Sequence, residues 1–326
     1  MTCHDSIACQ FAGNRYTVSA LIARGGMAEI YLACDKTTGK SVAIKCLSTA
    51  NQGNAAYQRQ LCREAEILAR VRHPNVVRLL DADLMARPTP YLVLEALAGE
   101  SVHDYVERRG AMSIRQAMPL AMQLCGALGA VHLAGSIHGD VKPHNVFLCG
   151  PLDAPSSVKL IDFGCALPIG SSRTDGDMVA GTPEYMAPEQ ILGDPVDQRT
   201  DIYAFGIVLF RWLTAELPLS EGPMLGVLKQ QLLDRAHRPS SFINGFSREL
   251  ESVIQTALHK DPDNRYPTTA ALLTDLTCVL KSEGLPQSAT IVPGPDEYHP
   301  RTQQGQRTLG LLAMASSAVC CERQPL

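Results

Sequence analysis

Two aspartates in separate polar segments are the first candidates for chemistry in this sequence. Asp140 lies within His138–Asn145, and Asp162 directly follows the segment VKLI at 158–161. One carboxylate can accept the proton of a hydroxyl group, while the other, together with an amide oxygen, can bind a hard cation such as Mg²⁺. Lys142 adds positive charge that can stabilise a phosphoryl group during its transfer. Either segment alone is also compatible with an ordinary turn.

A lysine and a glutamate earlier in the chain form a candidate ion pair. If 42–46 is a strand, alternation places Lys45 on the face opposite Ile44. Glu64 lies on or beside the apolar stripe of a predicted helix over 55–71. Burying either charge alone costs several kcal/mol, so a Lys45–Glu64 pair that directs the lysine toward an anionic ligand is the economical arrangement. The alternative is that both side chains extend into solvent.

A third candidate is the segment Ile22–Ile30, which places Gly25 and Gly26 between two β-prone runs. Small residues allow backbone amides to approach phosphate oxygens closely. A Gly-Gly pair equally suits a plain hairpin turn, so both interpretations stay open for this segment alone.

Two kinds of structure are predicted to position these residues. From Tyr16 to Leu97, short β-prone runs are separated by turn residues, and a single helix interrupts them. Beyond Gly99, long helical patterns dominate, over 114–132, 202–214 and 248–259. We therefore predict an α+β fold with a small β-rich N-lobe over about 15–97 and a larger, mostly α C-lobe over about 98–283.

Composition excludes several other classes. The 326 residues carry 29 Lys plus Arg against 33 Asp plus Glu, without a polybasic run, so nucleic acid is not the expected partner. The 11 cysteines contain no CxxC pair, and the first residues do not form a secretory signal, which together favour the cytoplasm. Residues 1–14 are predicted to be an extension, and 284–326 a Pro/Gln-rich linker with a short apolar tail. The tail tract 309–321 is too short for a transmembrane segment.

The conjunction and order of six motifs carry more weight than any one of them. They are the glycine loop, VAIK, the helix glutamate, HxDxKxxN, DFG and APE. The chain resembles the bacterial branch of the eukaryote-like (Hanks-type) Ser/Thr protein kinases, most clearly in RYTVSALIARGGMAEIYLACD, HGDVKPHNVFL and AGTPEYMAPEQ. The resemblance covers about residues 15 to 283 and implies the bilobal protein-kinase fold.

The resemblance implies transfer of the γ-phosphoryl group of ATP to Ser or Thr hydroxyls of proteins, including autophosphorylation. Asp140 would be the base and Lys142 the charge stabiliser. Asn145 and Asp162 would hold Mg²⁺, with Mn²⁺ as an alternative. Lys142 together with Thr182 favours Ser or Thr over Tyr acceptors.

The resemblance also implies where ATP binds. Lys45, paired with Glu64, would contact the α- and β-phosphates, and Leu94 would be the gatekeeper. The other residues expected around the nucleotide are Ile22, Ala23, Arg24, Gly25, Gly26, Met27, Ala28, Ile30, Ala43, Glu95, Leu97 and Phe147. The assignments of Glu95 and Leu97 allow a shift of one residue.

Some matching positions are expected to be structural. Glu189 and Arg265 correspond to a buried ion pair of the C-lobe, and Asp201 to a residue that steadies the catalytic loop. His138 and Phe163, together with Leu68, match positions that stack in active kinases.

The sequence departs from the family pattern in the glycine loop and in the catalytic loop. Ala23 and Ala28 replace the first and third loop glycines, and an alanine that needs positive φ costs about 1–2 kcal/mol. Gly139 replaces the arginine that binds a phosphorylated activation segment. We therefore expect basal activity without phosphorylation of Ser171, Ser172 or Thr174.

Two other functions fit parts of the pattern. A nucleotide-binding pseudokinase scaffold is the main alternative, motivated by the loop changes, and a small-molecule kinase is the second. The expected partners are protein substrates and a counteracting phosphatase.

Overall fold

The computed structural model describes residues 15–86, 89–152, 157–172, 182–220 and 222–285. Within these ranges the chain divides into two compact units. The first, called the sheet unit, comprises 15–72 and 77–97. The second, called the helical unit, comprises 73–76 and 98–285.

The sheet unit is a five-stranded antiparallel sheet with one α-helix. The strand order is β1-β2-β3-β5-β4. The elements are β1 Tyr16–Arg24, β2 Ala28–Asp35, β3 Lys40–Leu47, α1 Ala55–Arg70, β4 Leu79–Asp83 and β5 Tyr91–Glu95. Strand β4 was not among the β-prone runs recognised in the sequence. Its sequence LLDAD contains two aspartates, a residue type that is rare in strands.

Strand register divides the side chains of this sheet between two faces. One face contributes a buried cluster of Tyr16, Tyr31, Ala33, Val42, Ile44, Cys46, Tyr91 and Val93. Lys45 pairs with Ile30 on β2 and with Leu92 on β5, and Ala43 pairs with Leu94. These residues therefore share the opposite face, and the predicted alternation along β3 is confirmed.

Helix α1 presents an apolar stripe to the sheet unit. Asn54 caps its N-terminus, because the side-chain oxygen accepts a hydrogen bond from the Ala56 N–H at 2.9 Å. The buried positions are Leu61, Glu64, Ala65, Ile67 and Leu68, and the helix packs on β4 and β5. Glu64 is thus held on the buried side of the helix.

A charged network joins the start of β1 to β4. Arg15 donates to Asp35 at 3.0 Å and to Asp81 at 2.6 Å, and the Tyr16 hydroxyl donates to Asp81 at 2.9 Å. The hydrogen bonds from Arg15 lower the pKa of Asp35 to about 2, although burial opposes this shift.

The helical unit contains seven helices and two small sheets within its described residues. The helices are α2 Val102–Arg109, α3 Ile114–Leu133, α4 Pro188–Leu192, α5 Gln198–Thr214, α6 Met224–Leu233, α7 Arg248–Ala257 and α8 Thr269–Ser282. The strands are β6 Glu100–Ser101, β7 Ser136–Ile137, β8 Val146–Leu148, β9 Val158–Leu160 and β10 Leu167–Pro168. β6, β8 and β9 form one sheet, and β7 pairs with β10.

Helix α5 is the central element of this unit, since it is buried along most of its length and packs against α3 and α7. It begins at Gln198, four residues before the predicted start, because Asp197 caps it by accepting from the Arg199 N–H at 2.8 Å. The first turn of α5 consists of polar residues, so apolar periodicity did not reveal where the helix begins. Helix α7 ends at Ala257, two residues before the predicted end.

The α+β class is confirmed by these two units. Across the described ranges, no helix combines the length and the apolar character needed to cross a membrane. The extension 1–14 and the tail beyond residue 285 lie outside the described residues.

Candidate active site

Asp140 is a nearly buried carboxylate whose orientation is fixed by three neighbours. Its Oδ2 accepts from Lys142 Nζ at 2.7 Å and from Asn145 Nδ2 at 3.1 Å. Its Oδ1 accepts from the Thr182 backbone N–H at 3.2 Å, and Lys142 Nζ also donates to Thr182 Oγ1 at 2.8 Å. These contacts bring Asp140, Lys142, Asn145 and Thr182 together.

The charge state of Lys142 follows from the same contacts. Burial disfavours the ammonium, but the charge and hydrogen bond of Asp140 outweigh burial and raise the pKa of Lys142. The pair therefore presents a cation next to an oriented proton acceptor.

The loop that carries Asp140 is held through its backbone by Asp201 at the start of α5. Asp201 Oδ2 accepts from the His138 N–H at 2.8 Å and from His132 Nε2 at 2.8 Å, and Oδ1 accepts from the Gly139 N–H at 2.9 Å. Although burial opposes ionisation, these hydrogen bonds lower the pKa of Asp201. Asp201 thus bonds to the loop backbone at His138 and Gly139, a contact that suits the predicted steadying role.

His138 connects this loop to the segment that contains Asp162. Its Nε2 donates to the Ile161 carbonyl at 3.0 Å, and its Nδ1 accepts from the Asp140 N–H at 3.3 Å. The imidazole lies edge-on to the Phe163 ring, with centroids 4.8 Å apart. The predicted contact between His138 and Phe163 is therefore present.

Gly139 has a backbone that glycine suits and arginine does not. Its φ is +75°, and a Cβ at this position would lie 2.7 Å from the Cys165 carbonyl oxygen. Gln190 Nε2 donates to the Gly139 carbonyl at 2.9 Å and so links the loop to α4. In this backbone conformation a side chain at position 139 would therefore meet the Cys165 carbonyl.

We predict that Gly139→Ala destabilises the protein more than Gly135→Ala. Both glycines have positive φ, which costs alanine about 1–2 kcal/mol, but a Cβ on Gly135 would meet no heavy atom within 4 Å. The close approach to Cys165 adds to the cost at Gly139 only. Urea unfolding of the two variants measures the difference, and equal losses would contradict the steric argument.

The oxygen atoms of Asn145 and Asp162 suit a hard divalent cation. Asn145 is fully buried, and its Nδ2 donates to the Asp140 carbonyl at 2.8 Å, which orients the amide. Its Oδ1 has no hydrogen-bond partner among the described residues. Asp162 has a φ of 62°, and its Oδ1 accepts from the Gly164 N–H at 3.2 Å. An amide oxygen and a carboxylate are ligands that Mg²⁺ and Mn²⁺ accept.

In the sheet unit, Lys45 and Glu64 form a buried ion pair. Lys45 Nζ donates to Glu64 Oε1 at 2.7 Å and to Oε2 at 2.6 Å, and the residues are 4% and 2% exposed. The alternative in which both side chains extend into solvent is therefore wrong. Because both carboxylate oxygens are used, the pair fixes the direction of the lysine.

The glycine loop is a tight turn between β1 and β2. The Gly25 N–H donates to the Ala28 carbonyl at 2.9 Å. Ala23 pairs with Ile30 in the ladder, and neither Ala23 nor Ala28 has positive φ, so the strain considered for these alanines does not occur.

Asn51 is a residue that sequence reasoning missed. It follows β3, and its Nδ2 donates to the Gly26 carbonyl at 2.6 Å and to Ser48 Oγ at 2.9 Å. It therefore restrains the tip of the glycine loop. No motif contains it, and nothing in its spacing indicated this contact.

The remaining predicted residues have the following places. In the sheet unit, β1 ends with Ile22, Ala23 and Arg24, and the turn after it contains Gly25, Gly26 and Met27. Strand β2 carries Ala28 and Ile30, and β3 carries Ala43. Strand β5 ends at Glu95, and Leu97 follows it. Phe147 lies on β8 in the helical unit, which also carries Asp140, Lys142, Asn145 and Asp162.

Comparison with known proteins identifies the family. The protein kinase domain family matches residues 16–276. This chain belongs to the protein kinase domain family. The recognition made from the motifs and the fold class predicted with it are confirmed. Family membership implies ATP and a divalent metal ion as the groups that bind a kinase domain.

Three curated relatives are similar to this chain over most of its length. The chain is 36% identical over 276 residues to serine/threonine-protein kinase PknB of Mycobacterium tuberculosis, covering 83% of this chain and 44% of the relative. It is 36% identical over 268 residues to PknB of Mycobacterium leprae, covering 81% and 42%, and 32% identical over 299 residues to a probable PknB of Bifidobacterium longum, covering 88% and 43%. The chain thus spans less than half the length of these relatives.

The kinase domain also contains the predicted structural ion pair. Arg265 Nη1 and Nη2 donate to the two Glu189 oxygens at 2.8 and 2.9 Å, and Thr200 Oγ1 donates to Glu189 Oε1 at 2.7 Å. Both charged residues are buried. Of the three hydroxyl residues considered for phosphorylation, Ser171 and Ser172 lie within the described residues, and Thr174 lies outside them.

Proposed function

We propose that this kinase domain transfers the γ-phosphoryl group of ATP to Ser or Thr hydroxyls of proteins, itself included. The observation that carries the proposal is the Asp140 carboxylate, which is oriented by Lys142, Asn145 and Thr182 within 2.7–3.2 Å. The names of the relatives support the same reaction. The pseudokinase alternative gains no support from the comparisons, since each relative is named as a kinase.

In this mechanism Asp140 accepts the proton of the acceptor hydroxyl as its oxygen attacks the γ-phosphorus. The new O–P bond forms in line with the bond between the γ-phosphorus and the oxygen that bridges it to the β-phosphate. That older bond breaks, its electron pair stays on the bridging oxygen, and ADP leaves. The Lys142 ammonium lies 2.7 Å from Asp140 and compensates negative charge on the phosphoryl oxygens during transfer. Thr182 contacts both residues, which supports a preference for Ser and Thr acceptors.

We propose that Asn145 and Asp162 hold Mg²⁺, or Mn²⁺ in its place, and that the ion neutralises phosphate charge when it is bound. The unpartnered Asn145 Oδ1 supports this assignment.

For the nucleotide, we propose that Lys45 contacts the α- and β-phosphates while Glu64 keeps its direction fixed. Ile30 and Ala43 share the sheet face of Lys45, which suits an adenine ring packed on that face. The Glu95 N–H already donates to the Arg78 carbonyl at 3.3 Å. The Glu95 carbonyl is therefore the group proposed to accept a hydrogen bond from the adenine edge. The Leu97 backbone and Phe147 complete the proposed adenine contacts.

We propose protein substrates and an opposing phosphatase as partners, and a cytoplasmic location, for which the absence of CxxC pairs among the cysteines is the support.

The test is phosphoryl transfer by the purified chain with γ-labelled ATP and Mg²⁺. Label is expected on myelin basic protein, as a generic acceptor, and on the chain itself. An aminoglycoside and choline serve as small-molecule acceptors and are expected to stay unlabelled. Nucleotide binding without any transfer would favour a pseudokinase scaffold, and labelled aminoglycoside or choline would favour a small-molecule kinase.

A further inference from the structure

A buried glutamine on α6 bonds to the backbone that follows Thr182. Gln231 is 1% exposed, and its Nε2 donates to the Glu184 carbonyl at 2.6 Å and to the Pro183 carbonyl at 3.4 Å. These carbonyls belong to a single 3₁₀ turn, Pro183–Tyr185. A fully buried amide that bonds to backbone carbonyls fixes their position, because water cannot replace it.

The other end of this amide is held by a tyrosine of α5. The Tyr203 hydroxyl donates to Gln231 Oε1 at 2.6 Å and accepts from Lys260 Nζ at 2.7 Å. Burial raises the pKa of Tyr203, so its hydroxyl keeps the proton that it donates to the glutamine. Since the tyrosine supplies the donor, Gln231 must present its oxygen to Tyr203 and its NH₂ group to the turn.

Lys260 completes the chain of hydrogen bonds. Burial and the nearby Arg265 lower its pKa to about 8, although Asp234 opposes this shift. The Arg265 guanidinium lies 4.8 Å from the centre of the Tyr203 ring, which keeps the ring in place. The hydrogen bonds therefore run in one direction, from Lys260 through Tyr203 and Gln231 to the turn.

The turn that receives these bonds is next to the reacting groups. Thr182 directly precedes it, and the Tyr185 N–H donates to the Thr182 carbonyl at 2.9 Å. Thr182 in turn contacts Asp140 and Lys142. A displacement of the turn would move the backbone beside the proton acceptor.

We propose that Gln231 is a positioning residue for the protein acceptor, acting through the turn Pro183–Tyr185. This inference rests on the proposed function, in which the acceptor hydroxyl reaches Asp140; because Thr182 contacts Asp140 and directly precedes the turn, the chain that carries this hydroxyl would lie beside the turn. Tyr203 and Lys260 fix the orientation of the Gln231 amide, and that amide fixes the position of the turn. Loss of the glutamine weakens acceptor binding and leaves ATP binding unchanged, because none of its contacts involves a residue proposed to bind ATP.

The experiment compares Gln231→Met with Gln230→Met, a neighbouring control whose side chain is only half-buried. With myelin basic protein as acceptor, Gln231→Met is expected to raise the acceptor KM about five- to tenfold, the effect of losing a buried hydrogen-bonding group. The KM for ATP is expected to stay within about twofold. Tyr203→Phe removes only the hydroxyl and is expected to raise the acceptor KM about two- to threefold.

An unchanged acceptor KM in folded Gln231→Met, or an equal rise in both KM values, would overturn the inference. If Gln231→Met does not fold, Tyr203→Phe decides by the same criterion. Hydrogen exchange of the amides of residues 182 and 184–186 provides a readout that does not require transfer: faster exchange in the variants supports the inference, and unchanged exchange overturns it. Absence of transfer by the unaltered chain would contradict the proposed function instead.

Discussion

Asp140→Asn is expected to lower kcat for phosphoryl transfer by about 10²–10⁴-fold, the range that a positioned general base contributes. Both carboxylate oxygens accept hydrogen bonds, Oδ2 from Lys142 and Asn145 and Oδ1 from Thr182. Asparagine keeps the shape but offers one oxygen in place of two, and it cannot take the hydroxyl proton. Rapid-quench and steady-state assays measure kcat, and a nucleotide-binding assay is expected to show affinity within a few-fold of the unaltered chain.

The matched control is Asp197→Asn, the same chemical change at the N-cap of α5. Asn is as good an N-cap as Asp, so activity and helix stability are expected to remain near those of the unaltered chain. Transfer by Asp140→Asn above about a tenth of the unaltered kcat would exclude a general-base role for this carboxylate.

Arg265→Met is expected to reduce the free energy of unfolding by about 3–5 kcal/mol, because it leaves the Glu189 carboxylate buried without its counter-charge. The guanidinium also donates to the His259, Lys260 and Arg199 carbonyls at 2.7–2.9 Å, and those bonds are lost as well. Urea unfolding followed by circular dichroism measures the loss.

Arg199→Met provides the comparison for this prediction. Arg199 bonds to Asp197 and to the exposed Asp263, and such pairs contribute about 0–1 kcal/mol. The double variant Glu189→Gln with Arg265→Met is expected to recover part of the loss, because no uncompensated charge remains. Equal losses for Arg265→Met and Arg199→Met would show that burial does not dominate at Glu189.

The residues predicted best from the sequence were charged residues that are costly to bury without a partner and residues that lie at fixed spacing in a motif. Lys45 and Glu64 could be paired because two buried charges without partners would be too costly. The loop around Asp140 could be placed because its motif fixes several residues within a few positions. Helices α1, α3, α5 and α7 were predicted from apolar periodicity, which depends on local sequence.

The residues that escaped prediction act through contacts between distant parts of the chain. Gln231 reaches the turn before α4 from 47 positions away, and Asn51 reaches Gly26 from 25 positions away. Neither belongs to a motif, and single polar side chains give no periodic signal. The backbone angles at Ala23 and Ala28 also could not be obtained from residue type, because strand pairing determines them. The sequence shows Gly139 as a departure from the family pattern, but the close approach of the Cys165 carbonyl depends on contacts between separate loops.

Asp201 and Tyr203 are separated by two positions in the first turns of α5 and so project about 200° apart around the helix axis. Asp201 holds the backbone of the loop that carries Asp140, and Tyr203 holds Gln231, which bonds to the turn Pro183–Tyr185. Helix α5 thus sets the positions of both the Asp140 loop and the turn Pro183–Tyr185. Fraying at the start of α5 would misalign both at once, so thermal inactivation should coincide with loss of amide protection in that first turn rather than with melting of the sheet.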